Sequence, residues 1–262
     1  MARFIVKTRA IVLRTWRLGE TSKLVSLYTE DYGKVRVSAR GARKPKSKFG
    51  GALEVASEIQ GVCYIRTERT LQTLSECQLV AVSPELTAHL ERWSLAQAAC
   101  ELVDRITIEE EANQRLYACL AGVLKGLAEV GLEQLEPLFW YYQLRAAEAL
   151  GFRPELRQCV SCRKRLEGPW LYFDQVRGGG LCPLCGTTGG RRVAGASLQF
   201  LAGLQALRPY TKEKLPPAPP THQEIGSLLQ GFVEYHGGTR GGLKALQFHR
   251  AVAGAQAPLA KR

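Results

Sequence analysis

The sequence predicts an α+β protein of several domains: an N-terminal β-barrel, an all-helical domain, and a four-cysteine module inserted into that helical domain. Three observations predict it. Residues 1–80 form short strand-like runs, a helical repeat begins after Ser83, and two Cys-x-x-Cys pairs start at Cys159 and Cys182. The chain has 262 residues, of which 45% are hydrophobic, so it is long and apolar enough for two or three small domains.

The first domain reads as five strands in which apolar and polar residues mix with Val and Ile. These strands are predicted at residues 4–14, 23–29, 34–39, 57–67 and 71–80. Five short strands in about eighty residues favour a closed barrel over a sandwich, and the five-stranded OB fold is the leading candidate. Because OB folds commonly bind single-stranded nucleic acid, we assign residues 1–80 to a nucleic-acid-binding domain.

Helices replace strands at Ser83, which suits an N-cap and is followed by Pro84, a residue that suits the first helical turn. Asn113 is predicted to cap a second helix, and a third is predicted at residues 132–150. The first part of the helical domain therefore spans residues 81–155. Its second part spans 193–250, with predicted helices at 197–207 and 222–235, and residues 251–262 are predicted to be a flexible tail.

The cysteines give the most specific pattern in the chain. Cys159 and Cys162 form one pair, Cys182 and Cys185 form another, and 19 residues separate the pairs. That gap lies in the window of about 15–20 residues typical of a four-cysteine zinc site. We predict one structural zinc ion in a module at residues 156–192, with no open coordination position. Two redox pairs or disulfides are the alternative, and a reducing cytosol disfavours disulfides.

The net charge of +12 predicts a polyanionic partner, either nucleic acid or an anionic membrane surface. The charge divides into +8 for residues 1–80, −6 for 81–155 and +10 for 156–262. The densest basic run is a candidate phosphate-binding surface, which two arginines after the second cysteine pair extend. The predicted DNA-binding residues are Lys34, Arg36, Arg40, Arg43, Lys44, Lys46, Lys48, Arg191 and Arg192. Trp16 and Phe49 are candidates for base stacking, and burial in the barrel is an equal alternative for both.

Signatures of catalysis and of membrane insertion are missing from the sequence. It contains no phosphate-binding loop, no His-Glu-x-x-His and no Gly-x-Ser-x-Gly. We therefore expect no enzymatic activity, and a nuclease is the enzymatic alternative. No run of about 20 apolar residues is present, and the N-terminus lacks the apolar core of a signal peptide. These observations predict a soluble cytoplasmic protein with no membrane partner.

Several short sequence motifs, taken in their order and spacing, make the chain resemble the RecO family of bacterial recombination mediators. They lie at residues 10–13 (AIVL), 19–25 (GETSKLV), 28–29 (YT), 33–36 (GKVR), 39–43 (ARGAR), 46–49 (KSKF) and 243–248 (LKALQF). The four cysteines also fall where zinc-containing members carry theirs. The resemblance implies an N-terminal OB domain and an all-helical C-terminal domain that carries the zinc module.

The functional implications of this resemblance are binding of single- and double-stranded DNA and annealing of complementary strands. It further implies docking on the C-terminal tail of single-stranded DNA-binding protein (SSB), assembly with RecR, and help in loading RecA. We expect a bacterial, nucleoid-associated protein that is a monomer on its own. The alternative is an RNA-binding protein of the translation or transcription machinery, because OB folds and zinc ribbons occur there too.

Overall fold

A computed structural model describes residues 3–66, 68–81, 83–187, 189–209, 211–239 and 241–256. The chain divides into two compact units. The barrel unit combines the residues up to Ala128 with those from Leu243 onward, and the cysteine unit comprises Glu129–Gly242. Among the helices of the described ranges, none is long and apolar enough to cross a membrane.

Five strands close into a barrel in the order β1-β2-β3-β5-β4, with β4 pairing back onto β1. They are β1 (Arg3–Leu18), β2 (Ser22–Thr29), β3 (Gly33–Ala39), β4 (Glu58–Arg66) and β5 (Leu71–Ala81). All neighbours are antiparallel except β3 and β5, which run parallel. The predicted N-terminal β-barrel fold is confirmed. The first strand reaches further than predicted, because its second half pairs with β2 beyond a register shift between Val12 and Arg14.

The inside of the barrel is a continuous apolar core, because inward-facing residues alternate along each strand. Most of its members are aliphatic, among them the fully buried Leu27 and Ile59. Phe49 and Leu53, from the connection between β3 and β4, also pack into it. The long β3–β4 connection is therefore anchored to the barrel at several points rather than extending freely into solvent.

Four helices complete the barrel unit: α1 (Pro84–Ala88), α2 (Leu90–Ile106), α3 (Gln114–Glu129) and α8 (Lys244–Gln256). The predicted N-cap of α3 is present, since the Asn113 side chain accepts a hydrogen bond from the Leu116 N–H at 3.0 Å. His89 has an extended backbone and separates α1 from α2, where the periodicity predicted one continuous helix.

Helix α8 packs against α2, which is why the chain returns to the barrel unit after residue 242. The Glu101 carboxylate accepts the Ala245 N–H at 3.0 Å, in the first turn of α8. Ser94 and the buried His249 ring form a second link of 2.8 Å. The first six residues of the predicted flexible tail, 251–256, are helical, and residues 257–262 lie outside the described residues.

The cysteine unit contains, in its described residues, the elements α4 (Leu135–Ala149), β6 (Trp170–Asp174), β7 (Gly179–Leu181), α5 (Pro183–Gly186), β8 (Arg191–Ala194), α6 (Gly195–Ala206) and α7 (His222–His236). The three longer helices α4, α6 and α7 pack on one another, and the short helix α5 lies against a three-stranded sheet in the order β7-β6-β8. Strands β6 and β7 form an antiparallel hairpin between the two cysteine pairs. Gly178 makes its turn with a φ of +78°, whereas Gly179 already lies in β7, where a Cβ would meet the Glu155 carbonyl oxygen at 2.4 Å.

Candidate nucleic-acid interface and cysteine cluster

The connection between β3 and β4 begins with a basic loop, residues 40–51. Arg40, Lys44, Lys46 and Lys48 are exposed there, and none of them forms an ion pair with a carboxylate of the described ranges. Because the apolar residues of the same loop are fixed in the barrel core, these cationic ends project from an ordered base. Unpaired ammonium and guanidinium groups on a fixed base suit phosphate oxygens.

Arg43 belongs to the same loop but has a structural contact. Its guanidinium donates to the carbonyl oxygens of Gly19 and Glu20 at 3.2 and 2.8 Å, and its backbone N–H donates to Thr21 at 2.9 Å. These bonds fasten the basic loop to the turn between β1 and β2. The Arg43 side chain remains exposed, so it still adds positive charge to the surface.

Lys34 does not belong to this surface. Lys34 is only 7% exposed, and its Nζ donates to the carbonyl oxygens of Asp104 and Thr107 at 2.7 and 2.5 Å. Those carbonyls lie at the C-terminal end of α2, where the last turn has no intrahelical donors. Burial lowers the pKa of Lys34. The ammonium group therefore completes the end of a helix, and we leave Lys34 out of the phosphate-binding surface.

Arg36 is exposed, but its charge is already partnered. Its Nε lies 2.7 Å from a carboxylate oxygen of Glu109. A phosphate would have to compete with this carboxylate for the guanidinium. Arg36 therefore suits phosphate binding less well than the unpaired side chains of the basic loop.

An arginine cleft of about 340 Å³ lies beside the basic loop, where β5 runs parallel to β3. It is lined by Arg40, Tyr64, Arg66, Arg69, Leu71, Gln72 and Thr73, with no acidic residue among them. The buried Gln72 side chain fixes one wall, because its amide donates to the carbonyl oxygens of Arg66 and Arg69 at 3.0 and 2.5 Å.

Sequence reasoning missed Arg66 and Arg69. They follow the basic run by some 20 residues, and only the pairing of β5 with β3 brings them to Arg40. The available signal was their position around the predicted turn between the fourth and fifth strands, since loops at one end of an OB barrel converge on its binding face.

The two candidate stacking residues differ in exposure. Phe49 is 3% exposed and lies in the barrel core, so it is not a stacking residue. Trp16 is partly exposed, and the Arg14 guanidinium lies 4.9 Å from its ring centroid. Of the two, Trp16 alone remains a candidate for base stacking.

The four predicted ligand cysteines come together in the cysteine unit. The Sγ atoms of Cys159, Cys162, Cys182 and Cys185 all lie within 4.8 Å of one another, and those of Cys162 and Cys182 are 3.7 Å apart. Four thiolates around one zinc ion, each at about 2.3 Å, would be separated by about 3.8 Å. The donor set and its spacing are compatible with a structural zinc ion.

Two knuckles hold the thiols in this arrangement. In the first, the Cys159 carbonyl accepts the Arg163 N–H at 2.9 Å, and in the second the Cys182 carbonyl accepts the Cys185 N–H at 3.1 Å. Burial raises the pKa of the Cys159 thiol, but N–H groups of Cys162, Cys182 and Ser161 outweigh it, so the pKa falls to about 6.

The neighbouring thiols have the opposite effect on the last ligand. Side-chain hydrogen bonds with Cys182 and Cys162 raise the pKa of Cys185 to about 12. Four sulfur atoms at this spacing can all be ionised only if a cation offsets their mutual repulsion. The other cysteines are not in this cluster: Cys63, Cys77 and Cys100 are buried, and Cys119 is half-buried.

Arg191 and Arg192 begin strand β8, just beyond the second knuckle. Both are exposed. The Arg191 guanidinium donates to the Ser227 hydroxyl at 3.0 Å, and that of Arg192 lies 4.4 Å from the ring centroid of Trp170. The two arginines belong to the cysteine unit, whereas the basic loop belongs to the barrel unit.

Two family models match the chain: "Recombination protein O N terminal" over residues 1–82 and "Recombination protein O C terminal" over residues 88–246. The chain belongs to the RecO family. The proteins similar to it include those named DNA repair protein RecO in the following three bacteria. Identity is 36% over 181 residues in Pelotomaculum thermopropionicum, covering 69% of this chain and 68% of that protein. It is 35% over 237 residues in Salinibacter ruber, where the match covers 89% of this chain and 88% of that protein. It is 32% over 235 residues in a Roseiflexus species, where the match covers 88% of this chain and 81% of that protein.

Membership of the RecO family confirms the resemblance found in the sequence and supports a role in DNA repair and recombination. Each unit of this RecO family member carries its own candidate site. The barrel unit has the surface formed by the basic loop and the arginine cleft. The cysteine unit has the cysteine cluster and the arginines that follow it.

Proposed function

We propose that the chain is a recombination mediator that binds single- and double-stranded DNA and anneals complementary strands. Together with RecR it helps to load RecA onto single-stranded DNA coated with SSB. We expect this activity in the bacterial cytoplasm, at the nucleoid, from a protein that is a monomer until it meets its partners. The family membership and the barrel surface support this proposal.

The observation that carries the proposal is the set of unpaired cationic side chains on one part of the barrel. Arg40 belongs to both the basic loop and the arginine cleft, so the two form one continuous basic surface. Cations without a carboxylate partner release condensed counterions when they bind phosphates, which is the main source of sequence-independent affinity for DNA. We propose that Arg40, Lys44, Lys46, Lys48, Arg66 and Arg69 contact phosphates, with Arg36, Arg43, Arg191 and Arg192 contributing positive charge.

Annealing needs no energy source on such a surface. A duplex is lower in free energy than its separated strands, so the protein need only raise the rate of productive encounter. Neutralised phosphates repel one another less, and this lowers the electrostatic barrier between two strands. We therefore propose no catalytic residues.

We propose that Cys159, Cys162, Cys182 and Cys185 hold one zinc ion. Zinc would supply the positive charge that lets four crowded thiolates coexist, and four protein ligands leave no position for a substrate. Its role is therefore structural: it joins the two knuckles and fixes the sheet between them.

The protein partners follow from the same proposal. The SSB tail is acidic with an apolar end, and it would need an apolar groove beside a positive charge. RecR would bind a surface that leaves the basic loop free for DNA, and the effect on RecA would be indirect.

The experiment that tests the proposal is annealing of complementary strands that have first been coated with SSB. The full-length protein should accelerate duplex formation. The variant Arg40→Gln/Arg69→Gln should be about tenfold slower, because two phosphate contacts are lost. Arg165→Gln is a matched control, since this exposed arginine of the cysteine unit is already paired with Glu167 at 3.0 Å.

Three results would contradict the proposal. Absence of annealing by the wild-type protein would remove the mediator function, even if DNA binding remained. A clear preference for structured RNA over DNA would favour the translation or transcription machinery instead. Incubation of labelled DNA with magnesium or manganese checks the absence of catalysis, because cleavage would indicate a nuclease.

A further inference from the structure

We propose that Trp170 and Arg192 form a second site for single-stranded DNA, in the cysteine unit, where a base stacks on the indole ring. This inference rests on the proposed function and extends it to a part of the chain outside the barrel. It assigns a base contact to a region for which the sequence suggested only additional positive charge.

The sheet register places the two side chains on one face. Trp170 pairs with Ala194, and Tyr172 pairs with Arg192, so Trp170 and Arg192 are diagonal neighbours across β6 and β8. The guanidinium carbon of Arg192 lies 4.4 Å from the Trp170 ring centroid. This contact favours one orientation of the indole and places a cation at its surface.

Packing does not account for Trp170. The opposite face of β6 supplies the local core through Leu171 and Phe173, which are 0% and 5% exposed. Tyr172 shares the outer face with Trp170, but the second knuckle covers it, since Cβ atoms on Gly186 and Gly190 would meet its side chain. Trp170 lies beyond this cover and is 50% exposed, more than any of the other three tryptophans.

The surrounding charge favours a polyanion. Residues 156–192, here called the cysteine module, contain seven basic and two acidic residues. Both acidic residues are paired within the module, Glu167 with Arg165 and Asp174 with Arg177. Neither Arg191 nor Arg192 forms an ion pair with a carboxylate that the structure describes. Proteins that bind single-stranded nucleic acids commonly combine exposed aromatic rings, on which bases stack, with basic side chains, which neutralise phosphates. Trp170 and the neighbouring arginines provide this combination.

Duplex DNA would not use this site in the same way. Its bases are already stacked on one another, so an indole ring gains contact only with the unpaired bases of a single strand. The site should therefore discriminate between the two forms of DNA, unlike the phosphate contacts of the barrel surface.

The test measures the affinity of the full-length protein for labelled oligothymidylate and for a duplex of the same length. Trp170→Ala should weaken single-strand binding about tenfold, because stacking of a base on an aromatic ring is lost. Duplex affinity should change by less than about twofold, and the salt slope of single-strand binding should stay the same, because no phosphate contact is removed.

Tryptophan fluorescence gives a second readout. Oligothymidylate should quench the wild-type emission, and Trp170→Phe should remove a large part of that quenching while retaining most of the affinity. Leu184→Ala is the matched control, because this leucine is 80% exposed in the same module and its loss should change neither quantity. Hydrogen exchange across residues 156–192 must be unchanged in all variants, so that a loss of binding is not a loss of folding.

Three outcomes separate this inference from the proposed function. If Trp170→Ala binds single strands normally while Arg40→Gln/Arg69→Gln binds them weakly, the stacking site is refuted and the barrel surface stands. If Trp170→Ala weakens single-strand and duplex binding equally, the residue acts on the module as a whole and the inference also fails. If the wild-type protein binds no DNA, the proposed function itself is wrong.

Discussion

The barrel and the cysteine module both present exposed arginines, but they fix them in place by different means. The barrel has a closed ladder of five strands around an apolar core, so its basic loop is anchored by side chains such as Phe49 and Leu53. The module has a three-stranded sheet with a small core and relies on two knuckles that bring four thiols together. A hydrophobic core supports one surface, and the other rests on a cluster of four thiols whose spacing is compatible with a structural zinc ion.

The basic residues that make internal contacts also have different partners in the two regions. In the barrel unit, Lys34 and Arg43 use their hydrogen bonds internally, on α2 and on the turn after β1. In the module, the internally used arginines are Arg165 and Arg177, which neutralise the two acidic residues. In both regions, the cations that have neither a carboxylate nor a backbone carbonyl as partner among the described residues are the ones that can bind a polyanion.

Removal of the metal should give the largest difference between the two regions. Structural zinc sites contribute about 10–16 kcal/mol of apparent free energy to the folding of small domains. Chelation, or Cys159→Ser, should therefore abolish slow hydrogen exchange in residues 156–192 and leave that of β1 to β5 unchanged. The wild-type protein should contain one zinc ion per chain by mass spectrometry of the metal.

The matched control is Cys119→Ser, which changes a half-buried cysteine outside the cluster and should keep the zinc ion. Protein purified under reducing conditions with zinc present, yet free of metal and still protected in the module, would contradict the comparison. Disulfides within the two pairs would then be the better explanation of the cysteine spacing.

The second-largest effect is the loss of stability expected when the buried Lys34, rather than an exposed lysine of the basic loop, is replaced. Lys34→Met should lower the free energy of unfolding by about 1–3 kcal/mol, because two carbonyl groups at the end of α2 lose their donor. It should leave the salt dependence of DNA binding unchanged. Denaturant titration measures the first quantity and binding at several salt concentrations the second.

Lys46→Met is the matched control, since this lysine is exposed and has no ion pair among the described residues. It should change stability by less than about 0.5 kcal/mol and flatten the salt slope instead. If Lys34→Met flattened the slope and left stability intact, the assignment of Lys34 to the helix end would be wrong.

Local sequence patterns predicted the features that depend on local physics. The five strands, the Asn113 cap and the pairing of cysteines into two knuckles all follow from residues within a few positions of one another. The sequence therefore predicted the fold class and the four cysteines that the structure brings together.

Contacts between distant residues account for what the sequence did not reveal. The burial of Lys34 depends on carbonyl groups some 70 positions away, and the arginine cleft depends on the parallel pairing of β3 with β5. A run of basic residues looks the same whether its members face solvent or complete a helix. Phe49 illustrates the same point, since its sequence neighbourhood is basic but its side chain lies in the barrel core.

The smallest effect compares single arginines of the two regions. Arg69→Gln in the arginine cleft and Arg191→Gln in the cysteine module each remove one cation without a carboxylate partner among the described residues. If both contact phosphates, each variant should reduce the salt slope of single-strand binding by about 0.7, the contribution of one neutralised phosphate.

Each variant has a matched control in its own region, because one exposed arginine there is already ion-paired. Arg36 is paired with Glu109 in the barrel unit, and Arg165 with Glu167 in the module. Arg36→Gln and Arg165→Gln should change the slope less than their unpaired counterparts, since a paired guanidinium gains little by exchanging a carboxylate for a phosphate.

A reduced slope for Arg69→Gln alone would confine phosphate binding to the barrel, and the module would then contact DNA only through base stacking. Equal slopes for all four variants would show that ion pairing does not decide which arginines bind DNA, and the division of basic residues drawn above would be wrong.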